Sequence, residues 1–140
     1  MSERGPTVTV YRNRKTGEFR VQPHARYFGT PQEFGLPTVL SSDAPDIQLL
    51  TAVLENLPKT ESQKYDLSLA PKHSTEERRR RLKEDQPIDV CQLIGGYELA
   101  PFVKIRNSFG SVEEMTRVIP IDEFLSKGAE ILRQLFRDMP

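Results

Sequence analysis

A strand signal that leads through an acidic cap into an amphipathic helix occurs twice in this chain, and this repeat limits the folds available to it. The first copy spans residues 39–57, VLSSDAPDIQLLTAVLENL. Its polar opening predicts a helix that begins near Asp43, with Pro45 in the first turn, where a missing N–H is tolerated. The second copy, residues 118–136, has the same order of features. Because each helix has one apolar face, each must bury that face against another layer. The apolar face of the first helix consists of Ile47, Leu50, Val53, Leu54 and Leu57.

Alternating apolar runs predict the strands of that layer. Residues 7–11 and 18–21 flank a turn-forming segment, so we expect them to pair as an antiparallel hairpin. Segment 23–37 combines Pro and Gly with aromatic residues, which predicts an ordered loop. A capping box at Ser74 predicts a short, solvated helix to about Asp85. Further strands are predicted at 90–94, 102–106 and 114–119, the last two as a second hairpin.

These elements predict one α+β domain over residues 1–140. We expect a mainly antiparallel sheet of about five or six strands, with about three helices packed on one face. The content of 36% hydrophobic and 29% charged residues indicates a modest core under a charged surface.

The charge balance restricts the classes of partner. Twenty basic and twenty acidic side chains cancel, so no overall field attracts nucleic acid or an anionic membrane. Cys91 is the only cysteine, and the N-terminal sequence lacks the apolar core of a signal peptide. We therefore expect a soluble cytoplasmic protein without a disulfide.

The residue types needed for catalysis or metal binding are few and far apart. His24 and His73 both have polar, turn-like contexts, and we interpret both as surface histidines. Cys91 lies in an apolar strand signal, which favours a buried, inert thiol over a nucleophile. The spacing of these residues fits neither a triad nor a zinc site, so we expect no enzyme, no metal and no cofactor. A hydrolase built on His73 or Cys91 stays a remote alternative.

A run of four arginines is the one feature that indicates nucleic acid, because neighbouring guanidinium groups can span phosphates. Acidic residues surround the run at helical spacing, which favours a helix whose ion pairs are internal. A small nucleic-acid-binding protein is therefore the alternative hypothesis, and direct nucleic-acid binding is not our expectation. The run consists of Arg78, Arg79, Arg80 and Arg81.

Segment 34–57, FGLPTVLSSDAPDIQLLTAVLENL, resembles the signature of a contact-dependent growth inhibition immunity protein family of bacteria. In that family a strand ends in a Leu-Ser/Pro-x-Asp-Ala-x-Asp-x-x-Leu-x-x-Ala-Leu-like pattern. The opening at 8–13, VTVYRN, and the late 118–120, VIP, are similar to the same family. The resemblance lies at the two ends of the chain, and residues 59–111 match no family motif.

This resemblance implies a cytoplasmic protein that binds and neutralises the C-terminal toxin domain of a cognate growth-inhibition effector, commonly a nuclease. Such an inhibitor needs a complementary surface, and carboxylates that imitate phosphates suit a nuclease site. The implied binding residues lie mainly in the unmatched middle, with two tyrosines as aromatic anchors. They are Glu61, Tyr65, Asp66, Glu84, Asp85, Asp89, Tyr97 and Glu98.

Overall fold

The computed structural model describes residues 4–70, 72–106 and 108–140. Each half of the chain has four strands followed by a helix, and a helical middle joins the two halves. The strands are β1 Thr7–Asn13, β2 Phe19–Tyr27, β3 Thr30–Glu33, β4 Thr38–Leu40, β5 Asp85–Leu93, β6 Gly96–Ile105, β7 Ser108–Ser111 and β8 Arg117–Pro120. The α-helices are α1 Asp46–Asn56, α2 Lys59–Ser62, α3 Thr75–Glu84 and α4 Ile121–Asp138, with 3₁₀ turns at Leu67–Leu69 and Glu113–Met115.

The strands form one curled antiparallel sheet in the order β3-β2-β1-β5-β6-β7. The short strand β4 pairs with β2, and β8 pairs with the first half of β6. The predicted α+β fold and the hairpin of β1 with β2 are confirmed. The second hairpin differs from the prediction, because β7 pairs with the end of β6 and β8 pairs with its beginning.

The core lies between one face of the sheet and the helices α1 and α4. Alternate residues of β1 and β5 point to this face because side chains of a strand alternate in direction. Helix α4 places Phe124 against Tyr97 of β6, with ring centroids 4.2 Å apart. Gly128 of α4 lets the two helices approach, since a Cβ there would lie 3.2 Å from Leu50. The residues with no exposed surface at this interface include Val8, Val10, Val21, Leu49, Val53, Ile88, Val90, Leu99, Phe124 and Leu132.

Two local predictions were wrong. Helix α1 begins at Asp46, with Pro45 as its N-cap and no side-chain cap. The Asp43 carboxylate, which was predicted to cap the helix, instead accepts a hydrogen bond from the Ser41 hydroxyl. Ile47 therefore faces solvent with 67% of its surface exposed. The predicted loop 23–37 is largely a hairpin, since β2 continues through Pro23 and turns into β3.

Helix α3 lies apart from the core. The Ser74 hydroxyl accepts the N–H of Glu77, so the predicted cap is confirmed, and no residue of the helix is buried. Its last turn carries Arg81 to within 6.0 Å of the Tyr11 ring, on the sheet face away from α1 and α4. This placement brings the charged middle of the chain to the sheet face opposite α1 and α4.

Candidate functional site

The sheet face opposite α1 and α4 carries a polar cleft. Its floor comes from β1, β2 and β5, where Thr9 pairs in register with Gln22 on one side and Asp89 on the other. These side chains point away from the core because the neighbouring Val8, Val10 and Val90 point into it. The cleft has a volume of about 400 Å³. Its lining is Thr9, Tyr11, Gln22, His24, Pro31, Gln32, Glu33, Tyr65, Ala70, His73, Arg81, Pro87, Asp89, Phe102 and Phe109.

A hydrogen-bonded triplet occupies the centre of this floor. The Thr9 hydroxyl donates to Oδ1 of Asp89 at 2.8 Å and lies 2.9 Å from Nε2 of His24. Because a hydroxyl carries one proton, the Thr9 oxygen must accept from Nε2 when it donates to Asp89. In this arrangement neutral His24 carries its proton on Nε2, and its buried Nδ1 makes no hydrogen bond among the described residues.

Desolvation shifts the pKa values of the two ionisable members in opposite directions. Desolvation in the cleft raises the pKa of Asp89 to about 6, against the effect of the Thr9 hydrogen bond. Burial lowers the pKa of His24 to about 4, and the nearby Pro31 carbonyl acts in the opposite direction because it favours the protonated ring. At neutral pH the triplet consequently holds an ionised carboxylate and a neutral imidazole.

A second carboxylate lies at the wall of the cleft. The Tyr11 hydroxyl donates to Oε1 of Glu33 at 2.8 Å. Burial and the Glu33 charge raise the pKa of Tyr11 well above its ordinary value, so this phenol stays protonated. The Arg20 guanidinium packs over the face of the Tyr11 ring, 4.4 Å from its centre.

Asp89 in the cleft and Asp85 at the start of β5 differ in whether a cation lies beside the carboxylate. Asp85 at the start of β5 is buried and lies 3.3 Å from the Arg20 guanidinium. Within residues 4–70, 72–106 and 108–140, no lysine or arginine nitrogen lies within 4.0 Å of Asp89. Arg81 instead lies 3.8 Å from Glu77 on its own helix. Asp89 therefore faces the cleft without an ion-pair partner.

An aromatic ladder reaches the cleft through Tyr65, which belongs to the lining. The rings of Phe28, Tyr27, Tyr65 and Phe34 follow one another with centroids 4.6, 4.6 and 5.1 Å apart. Phe28 and Gly29 form the tip of the β2–β3 hairpin with φ values of 52° and 81°. Two positive φ values indicate a type I′ turn, in which Asn-Gly is the favoured pair and a phenylalanine is strained. The Phe28 side chain is 90% exposed, so a strained backbone position presents an aromatic ring to solvent.

The eight candidate binding residues separate into three groups. Asp89 and Tyr65 line the cleft. Tyr97 and Asp85 are buried, the first on Phe124 and the second beside Arg20, so neither side chain is open to a partner. The other four are engaged near the surface: Glu61 with Arg26, Asp66 with the N–H of Ser68 at 2.9 Å, Glu84 with Lys15 at 3.1 Å, and Glu98 with Arg4 at 3.8 Å.

The sequence did not reveal most of the cleft floor. The interpretation of His24 as a surface residue was wrong, because it is 6% exposed and bonded to Thr9. His73 is half-buried, 3.2 Å from Glu77, and Cys91 is the buried thiol that its context predicted. The available signal was the alternation of β1, whose valines fill the core while Thr9 and Tyr11 face the other side.

The arginine run lies on α3 with part of its charge compensated. Arg80 pairs with Glu84 at 3.3 Å, and Arg81 lies 3.8 Å from Glu77, as the spacing predicted. Arg78 and Arg79 are exposed. The described residues contain no group of three or more side chains placed to hold a metal ion. No helix in the described ranges combines the length and apolarity needed to cross a bilayer.

Two solved structures share this fold over nearly the whole chain. A protein of unknown function from Neisseria meningitidis matches with a TM-score of 0.71 and 14% identity, covering 100% of both chains. A chain of the CdiA-CT/CdiI toxin and immunity complex from Yersinia pseudotuberculosis matches with a TM-score of 0.68 and 13% identity, covering 96% of this chain and 97% of that chain. Neither a family model nor a curated protein matches the sequence. At these identities the likeness shows the fold, which this chain shares with a chain of a toxin and immunity complex.

Proposed function

We propose that this chain is a cytoplasmic immunity protein that binds and neutralises the toxin domain of a contact-dependent growth inhibition effector, without chemistry of its own. The observation that carries the proposal is the full-length likeness of its fold to a chain of a toxin and immunity complex. The sequence resemblance at residues 34–57 supports the immunity side of such a pair.

The charge of the cleft agrees with a nuclease-type toxin as the partner. Nuclease sites are basic or metal-loaded because they receive phosphates, so an inhibitor gains encounter rate and register from carboxylates. Asp89 and Glu33 both line the cleft, and Glu61 and Asp66 lie before and after Tyr65 in the sequence. An acidic cleft with a structured rim can therefore cover a basic site.

The aromatic ladder supplies the apolar part of such an interface. Aromatic residues that cluster near the centre of an interface carry much of the binding free energy. Phe28 is held out by the strained turn, and Leu36, Leu67 and Leu69 are 88%, 63% and 72% exposed. These side chains offer an apolar contact surface beside the acidic cleft.

The test is co-expression with the toxin domain encoded next to this chain. We expect a complex that elutes as one peak and restores growth of cells that produce the toxin. A Phe28→Ala variant should weaken the complex, whereas Leu125→Ala, an exposed apolar residue on α4, should not. If the wild-type pair neither co-elutes nor restores growth, the proposal is wrong.

Nucleic-acid binding through α3 is the second candidate, favoured by the exposure of Arg78 and Arg79. No carboxylate lies within 4.0 Å of either guanidinium in the described part of the chain. A gel-shift titration at low salt with single- and double-stranded DNA and RNA tests it. Binding that is lost in the Arg78→Gln, Arg79→Gln double variant would favour this function, and no shift would remove it.

A further inference from the structure

The cleft contains a carboxylate, Asp89, with which no cation of the described residues pairs. Asp89 accepts one hydrogen bond, from Thr9 to Oδ1, and no other described residue donates to its carboxylate. A carboxylate in a partly desolvated site is costly unless a cation or further donors compensate it. Asp85, four positions earlier on β5, shows the compensated arrangement, with Arg20 at 3.3 Å.

The groups around Asp89 leave room for a planar cation. Glu33 adds negative charge at the wall, and Tyr65, Phe102 and Phe109 present aromatic surface to the same space. A guanidinium bonds a carboxylate through two parallel N–H groups and stacks on aromatic rings, whereas an ammonium ion does neither as well. A cleft of about 400 Å³ is within the range that admits a side chain of that size.

Among the described residues, no charged group fills that role. Arg81 is the arginine of the lining; it lies 3.8 Å from Glu77 and 6.0 Å from the centre of the Tyr11 ring, and its buried Nε makes no hydrogen bond to another of these residues. Arg4 acts on Asp89 only at a distance and pairs with Glu98. The buried Nδ1 of His24, beside the same triplet, makes no hydrogen bond among the described residues. Within these residues Asp89 therefore receives one hydrogen bond, from Thr9, and no cation pairs with it. The ionisable and charged groups that face the cleft are Tyr11, His24, Glu33, His73, Arg81 and Asp89, with Arg4 and Glu98 beyond them.

We infer that the cleft binds the guanidinium of an arginine side chain of the partner, with Asp89 as its countercharge and the aromatic lining as its walls. The inference rests on the proposed function, because the arginine belongs to the toxin domain. An arginine that the toxin uses to hold phosphate suits this role, since its capture would block the toxin's own site. Asp89 and Glu33 then offer this arginine the negative charge that it otherwise finds on a phosphate of the toxin's substrate.

The first test compares toxin binding of Asp89→Asn and Glu55→Gln by titration calorimetry. Both variants exchange a carboxylate for an amide, but Glu55 lies exposed on α1, on the other side of the sheet. Asn keeps the acceptor for Thr9, so we expect Asp89→Asn to fold with a melting temperature equal to or above that of the wild type. We expect it to bind the toxin domain about tenfold or more weakly, and Glu55→Gln to bind like the wild type. Equal affinities of Asp89→Asn and wild type would overturn the inference and leave the proposed function intact.

The second test needs no toxin. In an NMR titration with N-acetyl-arginine-N-methylamide, we expect saturable shifts of the amides of Thr9 and Asp89. The citrulline analogue has the same shape without the charge, and it should produce no such shifts. The arginine shifts should also vanish in Asp89→Asn. If the two probes act alike, or if Asp89→Asn responds like the wild type, the cleft is not a guanidinium site, whatever the toxin experiments show.

Discussion

The two faces of the sheet are built from the same strands, but one is apolar and closely packed and the other is polar. On the helix side, Val8, Val10 and Val90 are fully buried with apolar neighbours, and burial there stabilises the fold. On the cleft side, the interleaved Thr9 and Asp89 form a polar floor in which a carboxylate lacks a cation. The comparison teaches that β1 and β5 hold the molecule together through one set of alternate residues. The other set carries Thr9 and Asp89, and desolvation of the Asp89 carboxylate without a cation among the described residues reduces stability at neutral pH.

Removing the ring of Phe124 should have the largest effect on stability. Its side chain is fully buried and stacks on Tyr97 at 4.2 Å, so Phe124→Ala leaves a cavity on the helix side. We expect a loss of about 3–5 kcal/mol in the free energy of unfolding, measured by urea denaturation. Leu125→Ala, next along α4 and 46% exposed, is the matched control and should cost under about 1 kcal/mol. Similar losses in both variants would show that the helix face is not the closely packed side.

The cleft side should instead affect how the free energy of unfolding depends on pH. Because folding raises the pKa of Asp89 to about 6, this group favours the folded state at low pH, and that contribution is lost as pH rises through about 6. Because folding lowers the pKa of His24 to about 4, its contribution is present above its ordinary pKa and is lost as pH falls toward 4. The two effects have opposite signs over the same interval and largely cancel in the wild type.

Variants that remove either Asp89 or His24 should show the contribution of the remaining group to the pH dependence of stability. Between about pH 7 and pH 4, Asp89→Asn should lose roughly 2–3 kcal/mol more stability than the wild type, because only His24 then titrates. His24→Gln, which keeps a donor near the position of Nε2, should gain stability over the same interval. Urea denaturation at several pH values measures both slopes. Parallel stability curves for all three proteins would mean that neither group is desolvated as the cleft geometry requires.

The hairpin tip should behave as a part of the cleft side that lowers stability. Phe28→Asn places a residue that tolerates positive φ in the type I′ turn, so we expect about 1 kcal/mol of added stability. Leu36→Asn removes another exposed apolar side chain, at 88% exposure and without positive φ, and should leave stability within about 0.5 kcal/mol. Thermal or urea unfolding separates the two. A loss of stability in Phe28→Asn would show that the ring contact with Tyr27 outweighs the backbone strain.

The same contrast explains how far the sequence predicted the structure. The helix side follows partly from local patterns, since apolar spacing alone located α4, whereas the first half of β6, which α4 covers at Tyr97, was not among the predicted strands. The cleft depends on register, because Thr9, His24 and Asp89 lie on three strands and meet only after these strands pair. The sequence did not predict the hairpin of β2 and β3, because β2 continues through Pro23 and proline usually indicates a turn. Tertiary pairing overrode that local preference.

The smallest effect tests whether burial, and not charge alone, makes the cleft different. Arg133 of α4 lies 2.7 Å from Asp46 of α1, and the Asp46 side chain is 53% exposed. An ion pair in contact with solvent contributes little, so Asp46→Asn should change the free energy of unfolding by under about 1 kcal/mol, and less at high salt. Asp89→Asn makes the same chemical change in the cleft and should alter the pH dependence of stability, measured by urea denaturation at several pH values. If Asp89→Asn kept the pH profile of the wild type, the Asp89 carboxylate would be well solvated in the cleft. The cleft would then have no reason to bind a cation.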